Sequence, residues 1–221
     1  STAWPMVSRP VDAGGLGFNL KWNMGWMNDM THYIKLDPYF RKDNHRDVTF
    51  SFMYAFSENF VLPMSHDEVV HMKGSLMGKM PGDETLKAAG VRAFYSYILM
   101  HPGKKLIFMG AELGQINEWH YEGQLDWALL NEPLHAKLKT FFEAANHFYL
   151  DTKELWEVDF DWEGFEWINA NDADRSIFSF IRKSKDGKNN MLFVINFTPV
   201  ERPDYRVGVP KHKTYQLVLD S

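Results

Sequence analysis

Short apolar runs and stretches with apolar residues at helical spacing follow one another along the first half of the chain, and this order predicts strands followed by helices. Three short apolar runs predict strands, at residues 17–22, 60–64 and 106–109. Apolar side chains at helical spacing come after each run and predict helices over residues 24–34, 84–100 and 134–150. Strands that alternate with helices are typical of βαβ units, so we expect a parallel sheet or barrel.

Local signals refine several of these elements. Asp83 is placed to cap the second helix, and residues 101–103 are expected to end it. The run 106–109 is continuously apolar, which suits a strand buried on both faces. Residues 50–56 are apolar but short, and they are ambiguous between helix and strand. Pro63 is an anomaly within its strand, because proline lacks the N–H donor and belongs at strand ends or edges.

The pattern changes beyond about residue 155, where helical spacing disappears. Five short runs are rich in residues that favour strands: 165–168, 177–181, 191–197, 204–209 and 215–219. The dipeptide at 186–187, Asp-Gly, lies between two of these runs and predicts a hairpin turn. We therefore expect two domains: an α/β domain over residues 1–154, and an antiparallel all-β domain over residues 155–221 that is incomplete at the chain end.

Composition narrows the function classes. The chain has 24 basic and 29 acidic residues among 221 and a net charge of −5, which argues against a nucleic-acid-binding protein because such proteins depend on clustered Lys and Arg. Cysteine is absent, so disulfides, Cys-ligated zinc, iron–sulfur clusters and thiol nucleophiles are excluded, and a reducing compartment is compatible with the sequence. No apolar run approaches the ~18 residues that span a bilayer. The chain begins at Ser1 instead of Met, which suggests a processed or partial chain.

Trp, Tyr and Phe together make up 15% of the chain. Such residues most often fill a core, because aromatic rings bury the largest apolar area per side chain. An alternative role is a carbohydrate platform, since the apolar face of a pyranose can lie flat on an aromatic ring. Trp22 and Trp26, and further along Trp119 and Trp127, are open to either role.

The richest polar cluster runs from Ser65 to His71 and directly follows the strand predicted at residues 60–64. A serine triad is excluded because adjacent residues leaving a strand alternate in direction. A zinc-protease helix is excluded because its two His are four apart, whereas His66 and His71 are five apart. What remains is a carboxylate, Asp67, beside an imidazole at the carboxyl end of a strand, which is the catalytic edge in (β/α)8 barrels.

A carboxylate at that edge can stabilise an oxocarbenium-like sugar, and a neutral His beside it can donate a hydrogen bond to a sugar hydroxyl. The competing interpretation is that Asp67 and Glu68 cap the following segment while His66 is solvated. Glu112 follows the next strand at the same edge, where it is either a second site residue or a carboxylate that solvates the loop.

Four segments give the sequence a specific resemblance: residues 1–5, 14–27, 60–71 and 106–115. They resemble the 1,4-α-glucan branching enzymes, a family of retaining transglycosylases in the α-amylase superfamily. Amylase-type hydrolases usually carry Asn before the His-Asp pair, whereas this chain has Ser65 there and continues with Glu-Val-Val-His at 68–71, as branching enzymes do. Met72 departs from the family pattern, in which Gly is common, and this departure bears on the geometry of the loop.

The resemblance implies a fold and a set of roles. The chain would hold strands 6–8 of a (β/α)8 barrel, followed by a truncated C-terminal antiparallel β-sandwich. Asp67 would stabilise the transition state and His66 would contact the substrate. Apart from the resemblance, the position of Glu112 after a strand and the aromatic ring of Trp26 make us expect that these two are further substrate-binding residues. The nucleophile and the acid/base of the family would precede Ser1, so the chain alone would be inactive.

The resemblance also implies a reaction and its partners. The complete enzyme would cleave an α-1,4 link through a covalent glucosyl intermediate and transfer the segment to a 6-hydroxyl, with no metal or organic cofactor. Its partner would be an α-1,4-glucan such as glycogen, not a nucleic acid or a membrane, and it would be a cytoplasmic monomer. The alternatives are a non-catalytic glucan-binding or structural protein and a related α-glucan hydrolase or debranching enzyme.

Overall fold

The parallel sheet predicted for the first half of the chain is present. The computed structural model describes residues 3–210 and 214–221. Within it, β1 (Lys21–Trp22), β2 (Phe60–Met64) and β3 (Lys104–Ile107) form one sheet in the order β1-β2-β3. Both pairs of strands are parallel. The carboxyl ends of the three strands therefore lie along one edge of the sheet.

A helix follows each strand, as predicted. The α-helices are α1 (Met24–Lys35), α2 (Arg46–Thr49), α3 (Glu84–Met100) and α4 (Pro133–Asp151). Short 3-10 helices cover Val11–Ala13, Pro38–Asn44, Phe50–Met53, His66–Glu68, Met77–Lys79, Trp127–Asn131, Lys153–Leu155, Trp162–Gly164 and Ala173–Arg175. Asp83 caps α3 as predicted, because its side chain accepts a hydrogen bond from the Leu86 amide, and α3 ends at Met100 with His101 as its C-cap. The ambiguous residues 50–56 begin with one of the 3-10 helices.

Two strand boundaries differ from the prediction. β1 contains only Lys21–Trp22, because residues 17–20 are exposed and Gly17 has a φ of +73° that interrupts the extended backbone. β3 begins at Lys104, two residues before the predicted run, and it ends before Phe108. Its residues are half-buried instead of buried on both faces, because β3 lies at an edge of the three-stranded sheet.

Pro63 fits its strand because of where β1 stops. The Val61 carbonyl faces β1 and accepts a hydrogen bond from the Asn23 amide at 2.8 Å, whereas the Met64 carbonyl faces β3 and accepts from the Phe108 amide at 2.9 Å. Pro63 therefore directs its nitrogen towards the β1 side, two residues beyond the last residue of β2 that pairs with β1. In the described part of the chain, no strand lies where a backbone N–H at residue 63 would point, so the N–H that proline lacks is not needed for strand pairing.

The C-terminal part of the chain contains a three-stranded antiparallel sheet. Its strands β4 (Phe165–Asp172), β5 (Ile177–Lys183) and β6 (Asn190–Asn196) pair in the order β4-β5-β6. The predicted hairpin joins β5 to β6, and Gly187 has a φ of +66° there. The strands predicted at residues 204–209 and 215–219 are wrong, because no described strand pairs with them and a strand needs a neighbour for its backbone hydrogen bonds.

The antiparallel sheet packs on helices of the first half of the chain. Tyr33 of α1 lies edge-to-face with Phe178 and Phe197, at ring-centroid distances of 6.4 and 5.5 Å. Arg182 of β5 donates a hydrogen bond to the Met100 carbonyl at the end of α3, at 3.0 Å. These contacts join both sheets in one core. Within the described residues, none of the helices combines the length and apolarity needed to span a bilayer.

Candidate active site

The predicted site residues lie on a tight turn that follows β2. The Ser65 hydroxyl donates to Glu68 Oε2 at 2.7 Å, and the Ser65 amide donates to the same oxygen at 3.0 Å. The Asp67 amide in turn donates to the Ser65 hydroxyl at 3.3 Å. Glu68 is therefore the residue that completes the cap, and it is buried. The Asp67 carboxylate is turned away from the cap, with 58% of its side chain exposed.

His66 holds the Asp67 carboxylate from one side. Its Nε2 lies 3.2 Å from Asp67 Oδ1, and both side chains are about half exposed. The imidazole contacts two aromatic rings, with centroid distances of 6.0 Å to Phe108 and 6.2 Å to Trp119. Phe108 and Trp119, which we name the aromatic wall, meet edge-to-face at 5.0 Å. An imidazole–carboxylate pair in front of aromatic rings is suited to a sugar, which combines hydroxyls with an apolar face.

The described residues do not enclose the Asp67 side chain, more than half of which is exposed. The crevice between the ends of β2 and β3, beside the aromatic wall, has a volume of about 20 Å³ and is not lined by Asp67. That volume accommodates one water molecule and is far too small for a pyranose. A pyranose can therefore meet the exposed Asp67 carboxylate only outside this crevice.

The substrate-binding role predicted for Trp26 is wrong. Its side chain is fully buried, stacked on Phe94 at 6.2 Å and edge-on to His101 at 6.0 Å. The reason is its position on α1, where it belongs to the helix face that packs in the core, whereas a sugar platform needs an exposed ring. Trp22, at the carboxyl end of β1, is 42% exposed.

Glu112 has a local structural partner. Its Oε2 accepts a hydrogen bond from the Gly110 amide at 2.9 Å, in the turn that follows β3. Gly110 has a φ of +92°, so the carboxylate supports a backbone conformation that favours glycine. Among the described residues, no hydrogen bond joins Glu112 to His66 or Asp67. Its contact with a substrate stays a prediction.

Two residues behind the site carry no clear sequence signal. Lys79 is 6% exposed, and its ammonium donates to three backbone carbonyls of the loop that follows Asp67. The Glu118 carboxylate accepts hydrogen bonds from two amides of the same loop. The one available hint is a charged residue inside an otherwise apolar or small segment, residues 76–80.

These two residues carry opposite charges at neutral pH. Burial lowers the pKa of Lys79 to about 8, with a smaller contribution from Lys35. The carboxylates of Glu68 and Glu118 oppose that shift. The hydrogen bond from the Gly74 amide is the main cause that lowers the pKa of Glu118 below its ordinary value. In the described part of the chain, no group of three or more His, Asp or Glu side chains is placed to hold a metal ion.

Comparison with known proteins finds close relatives among enzymes of α-glucan metabolism. The family described as the alpha amylase C-terminal all-beta domain matches residues 167–221. The 1,4-alpha-glucan branching enzymes of Halothermothrix orenii and Aquifex aeolicus are 54% and 56% identical to the chain, over 100% of its length and 35% of theirs. The chain thus spans about a third of the length of these relatives. The resemblance predicted from the sequence is confirmed.

Solved structures show a related fold. The crystal structure of alpha-amylase from H. orenii matches with a TM-score of 0.52 at 15% identity, over 82% of this chain and 39% of that one. A cyclomaltodextrinase also has a TM-score of 0.52, at 18% identity, over 81% of this chain and 28% of that one. An α/β segment followed by a C-terminal all-β segment of the α-amylase type is therefore confirmed.

Proposed function

We propose that this chain is the C-terminal third of a 1,4-α-glucan branching enzyme and carries the residues of its active site that stabilise the transition state. The chain is similar over its whole length to part of enzymes that bear this name. The observation that carries the proposal is the position of Asp67, an exposed carboxylate braced by His66 at the carboxyl end of a parallel strand. In (β/α)8 enzymes, that edge holds the catalytic groups.

The three parallel strands correspond, in this proposal, to strands 6–8 of a (β/α)8 barrel. A helix follows each strand, and β1 and β3 each have one edge without a strand partner in the described residues. Such edges leave backbone N–H and C=O groups unpaired, and further strands that close a barrel would pair them. The C-terminal segment would be a β-sandwich, of which β4, β5 and β6 form one sheet.

Asp67 would act through its charge. Cleavage of a glycosidic bond passes through an oxocarbenium-like transition state with positive charge on the sugar ring. A carboxylate at about 4 Å from that charge contributes about 4 kcal/mol at an effective dielectric of about 20, but only about 1 kcal/mol in water. Because Asp67 is exposed in the chain alone, the larger value requires the rest of the enzyme and the bound glucan to exclude water.

His66 would position both the carboxylate and the sugar. Its Nε2 contact fixes the direction of Asp67, and its exposed half is available to a sugar hydroxyl. The covalent step and the protonation of the leaving oxygen would be carried out by residues outside this chain, so the chain alone is expected to be inactive. Its partner would be an α-glucan, and we expect a cytoplasmic monomer that uses no metal or organic cofactor.

Product analysis of the full-length protein tests the proposal. The protein is incubated with amylose, the products are treated with an enzyme that cleaves only α-1,6 links, and the released chains are sized. Branching predicts new α-1,6 links. Free maltooligosaccharides without new branches would identify a hydrolase, and glucan binding without turnover would identify a non-catalytic protein.

The variant Asp67→Asn tests the role of the carboxylate. Loss of about 4 kcal/mol of transition-state stabilisation lowers kcat by about a thousandfold. The control is Asp151→Asn, which removes an exposed carboxylate at the end of α4 and is expected to leave kcat unchanged. An Asp67→Asn protein with a kcat near that of wild type contradicts the assignment.

A further inference from the structure

The loop of residues 68–74, which follows Asp67, wraps its carbonyl groups around a buried ammonium. Lys79 Nζ donates to the Lys73 carbonyl at 2.8 Å, to the Gly74 carbonyl at 2.6 Å, and to the Glu68 carbonyl. These three bonds use all three N–H groups of the ammonium. Lys79 is only 6% exposed, so little water competes with the loop for these donors.

The amide groups of the same loop turn outward to a carboxylate. The Met72 amide donates to Glu118 Oε2 at 3.1 Å, and the Gly74 amide donates to Glu118 Oε1 at 2.7 Å. The next residue, Trp119, donates its own amide to the Val69 carbonyl at 3.0 Å. The loop is therefore tied to the segment that contributes Trp119 to the aromatic wall.

The backbone of the loop depends on this support. His71 and Met72 have φ values of +56° and +66°, in the left-handed region that costs non-glycine residues about 1–2 kcal/mol each. A loop with two such residues does not hold this shape by local preference. Lys73 donates its ammonium to the Asp67 carbonyl at 2.7 Å, so the position of the loop is transmitted directly to that residue.

We propose that Lys79 is a positioning residue for the reaction, because it binds three carbonyls of the loop 68–74 and thereby fixes the direction of Asp67. Glu118 completes the clamp from the other side of the loop. The inference rests on the proposed function, since it concerns the aim of the carboxylate that would stabilise the transition state. Lys79 itself is buried behind the loop and does not touch the substrate.

The charge of Lys79 matters because only the ammonium has three donors. The charged groups that face it are Lys35 of α1, Glu68 and Lys73 of the loop, and Glu118 of the segment after β3. Burial is the main cause that lowers the pKa of Lys79 to about 8; the two lysines add to this shift and the two carboxylates oppose it. Above that pH the neutral amine offers two donors to three carbonyls, so one of the three carbonyls loses this partner. We expect the loop to loosen and kcat to fall as pH rises through about 8.

The experiment measures branching of amylose by the full-length protein across pH. Lys79→Met keeps much of the side-chain length but removes every donor, and we expect kcat to fall about 10- to 100-fold. KM should stay within about threefold of the wild-type value, because the exposed face that meets the glucan is unchanged. Lys79→Arg keeps a permanent charge and is expected to restore most of kcat. Its activity should also persist at alkaline pH where wild-type activity has fallen.

The control is Lys137→Met, which removes an exposed lysine on α4 and is expected to match wild type. A Lys79→Met protein with wild-type kcat overturns the inference. A Lys79→Arg protein whose kcat falls at the same alkaline pH as that of wild type also overturns the inference. In that case the fall in kcat would not come from loss of the charge on Lys79, as it would not for a merely structural lysine.

A second variant decides the matter if Lys79→Met does not fold. Glu118→Gln weakens the other side of the clamp, and hydrogen exchange at the Met72 and Gly74 amides should become about tenfold faster, with a lower kcat and an unchanged melting temperature. Unchanged exchange and kcat overturn the inference. A wild-type protein that makes no α-1,6 links overturns the proposed function and this inference together, whereas an active enzyme with indifferent variants overturns the inference alone.

Discussion

Replacement of Arg182 by Met tests how the antiparallel sheet is held against the helices. Arg182 is fully buried and makes four hydrogen bonds. Its Nε donates to the Gly164 carbonyl at 3.1 Å, and its Nη1 to the Met100 carbonyl at 3.0 Å. Its Nη2 donates to the Val158 carbonyl at 3.2 Å and to Asp159 Oδ1 at 2.9 Å. One side chain therefore links β5, the end of α3 and the segment before β4.

The charge of Arg182 is balanced inside the same cluster. Asp159 also accepts from Lys104 Nζ, at 2.8 Å, and from the Gly103 amide, at 3.3 Å. Burial by itself raises the pKa of Asp159, but the charges of Lys105 and Arg182, together with the hydrogen bond and charge of Lys104, outweigh burial and hold the pKa below its ordinary value. The carboxylate is therefore ionised at neutral pH, and it keeps a cationic partner when Arg182 is removed.

The cost of Arg182→Met follows from the bonds that are lost. Three carbonyls, two buried and one partly buried, lose their donor, and each loss costs about 1 kcal/mol at the lower end of the usual range. Loss of the ion pair adds about 1–2 kcal/mol, reduced because Lys104 still neutralises Asp159. The apolar surface of the new methionine recovers about 1 kcal/mol. The free energy of unfolding should therefore fall by about 3–4 kcal/mol, a large part of the 5–15 kcal/mol typical of a domain.

The assay is urea unfolding of the full-length protein, with proteolytic cleavage of its C-terminal part as the readout. This readout assigns the change in the free energy of unfolding to the segment that contains Arg182. Arg175→Met is the control. Arg175 is 54% exposed and pairs with Asp172 at 3.3 Å, so its removal should change the free energy of unfolding by less than about 1 kcal/mol. If Arg182→Met destabilises the protein no more than Arg175→Met does, the buried cluster does not hold the sheet as argued.

Two further predictions concern a buried histidine and a left-handed methionine. Burial lowers the pKa of His101 to about 3, whereas a histidine in the unfolded chain has a pKa of about 6.5. Between these two values the unfolded state binds a proton that the folded state does not. The free energy of unfolding should therefore fall as pH drops from about 6.5 towards about 3. Urea midpoints measured across that range should depend less on pH in His101→Gln than in the exposed control His147→Gln; equal slopes would contradict the reasoning. Met72 is 97% exposed with a φ of +66°, so Met72→Gly should raise the free energy of unfolding by about 0.5–1 kcal/mol, seen as a higher melting temperature. The control is Met53→Gly. Met53 is also exposed but lies in a 3-10 helix without positive φ, so this variant should lower the free energy of unfolding. A Met72→Gly protein that melts below wild type would refute the strain argument.

The elements that could be predicted from the sequence are those whose hydrogen bonds are local. Apolar spacing and the cap at Asp83 located α3, and similar spacing located α1 and α4, because a helix closes its hydrogen bonds within four residues. The apolar run of β2 was also predictable, and Asp67 follows it directly. The position of Asp67 at the sheet edge could therefore be predicted from chain order alone.

Features that depend on distant partners could not be predicted in this way. Strands need neighbours, so the start of β3 at Lys104 and the absence of strands at residues 204–209 followed from pairing and not from composition. Trp26 has the same residue type as the half-exposed Trp22, and the packing of α1 against α3 decided that its ring is buried. Lys79 resembles a surface lysine in the sequence, and only the folded loop brings three carbonyls to its ammonium. In each case, residues far apart in the chain, or a loop closed on itself, set the environment that decides what the side chain does.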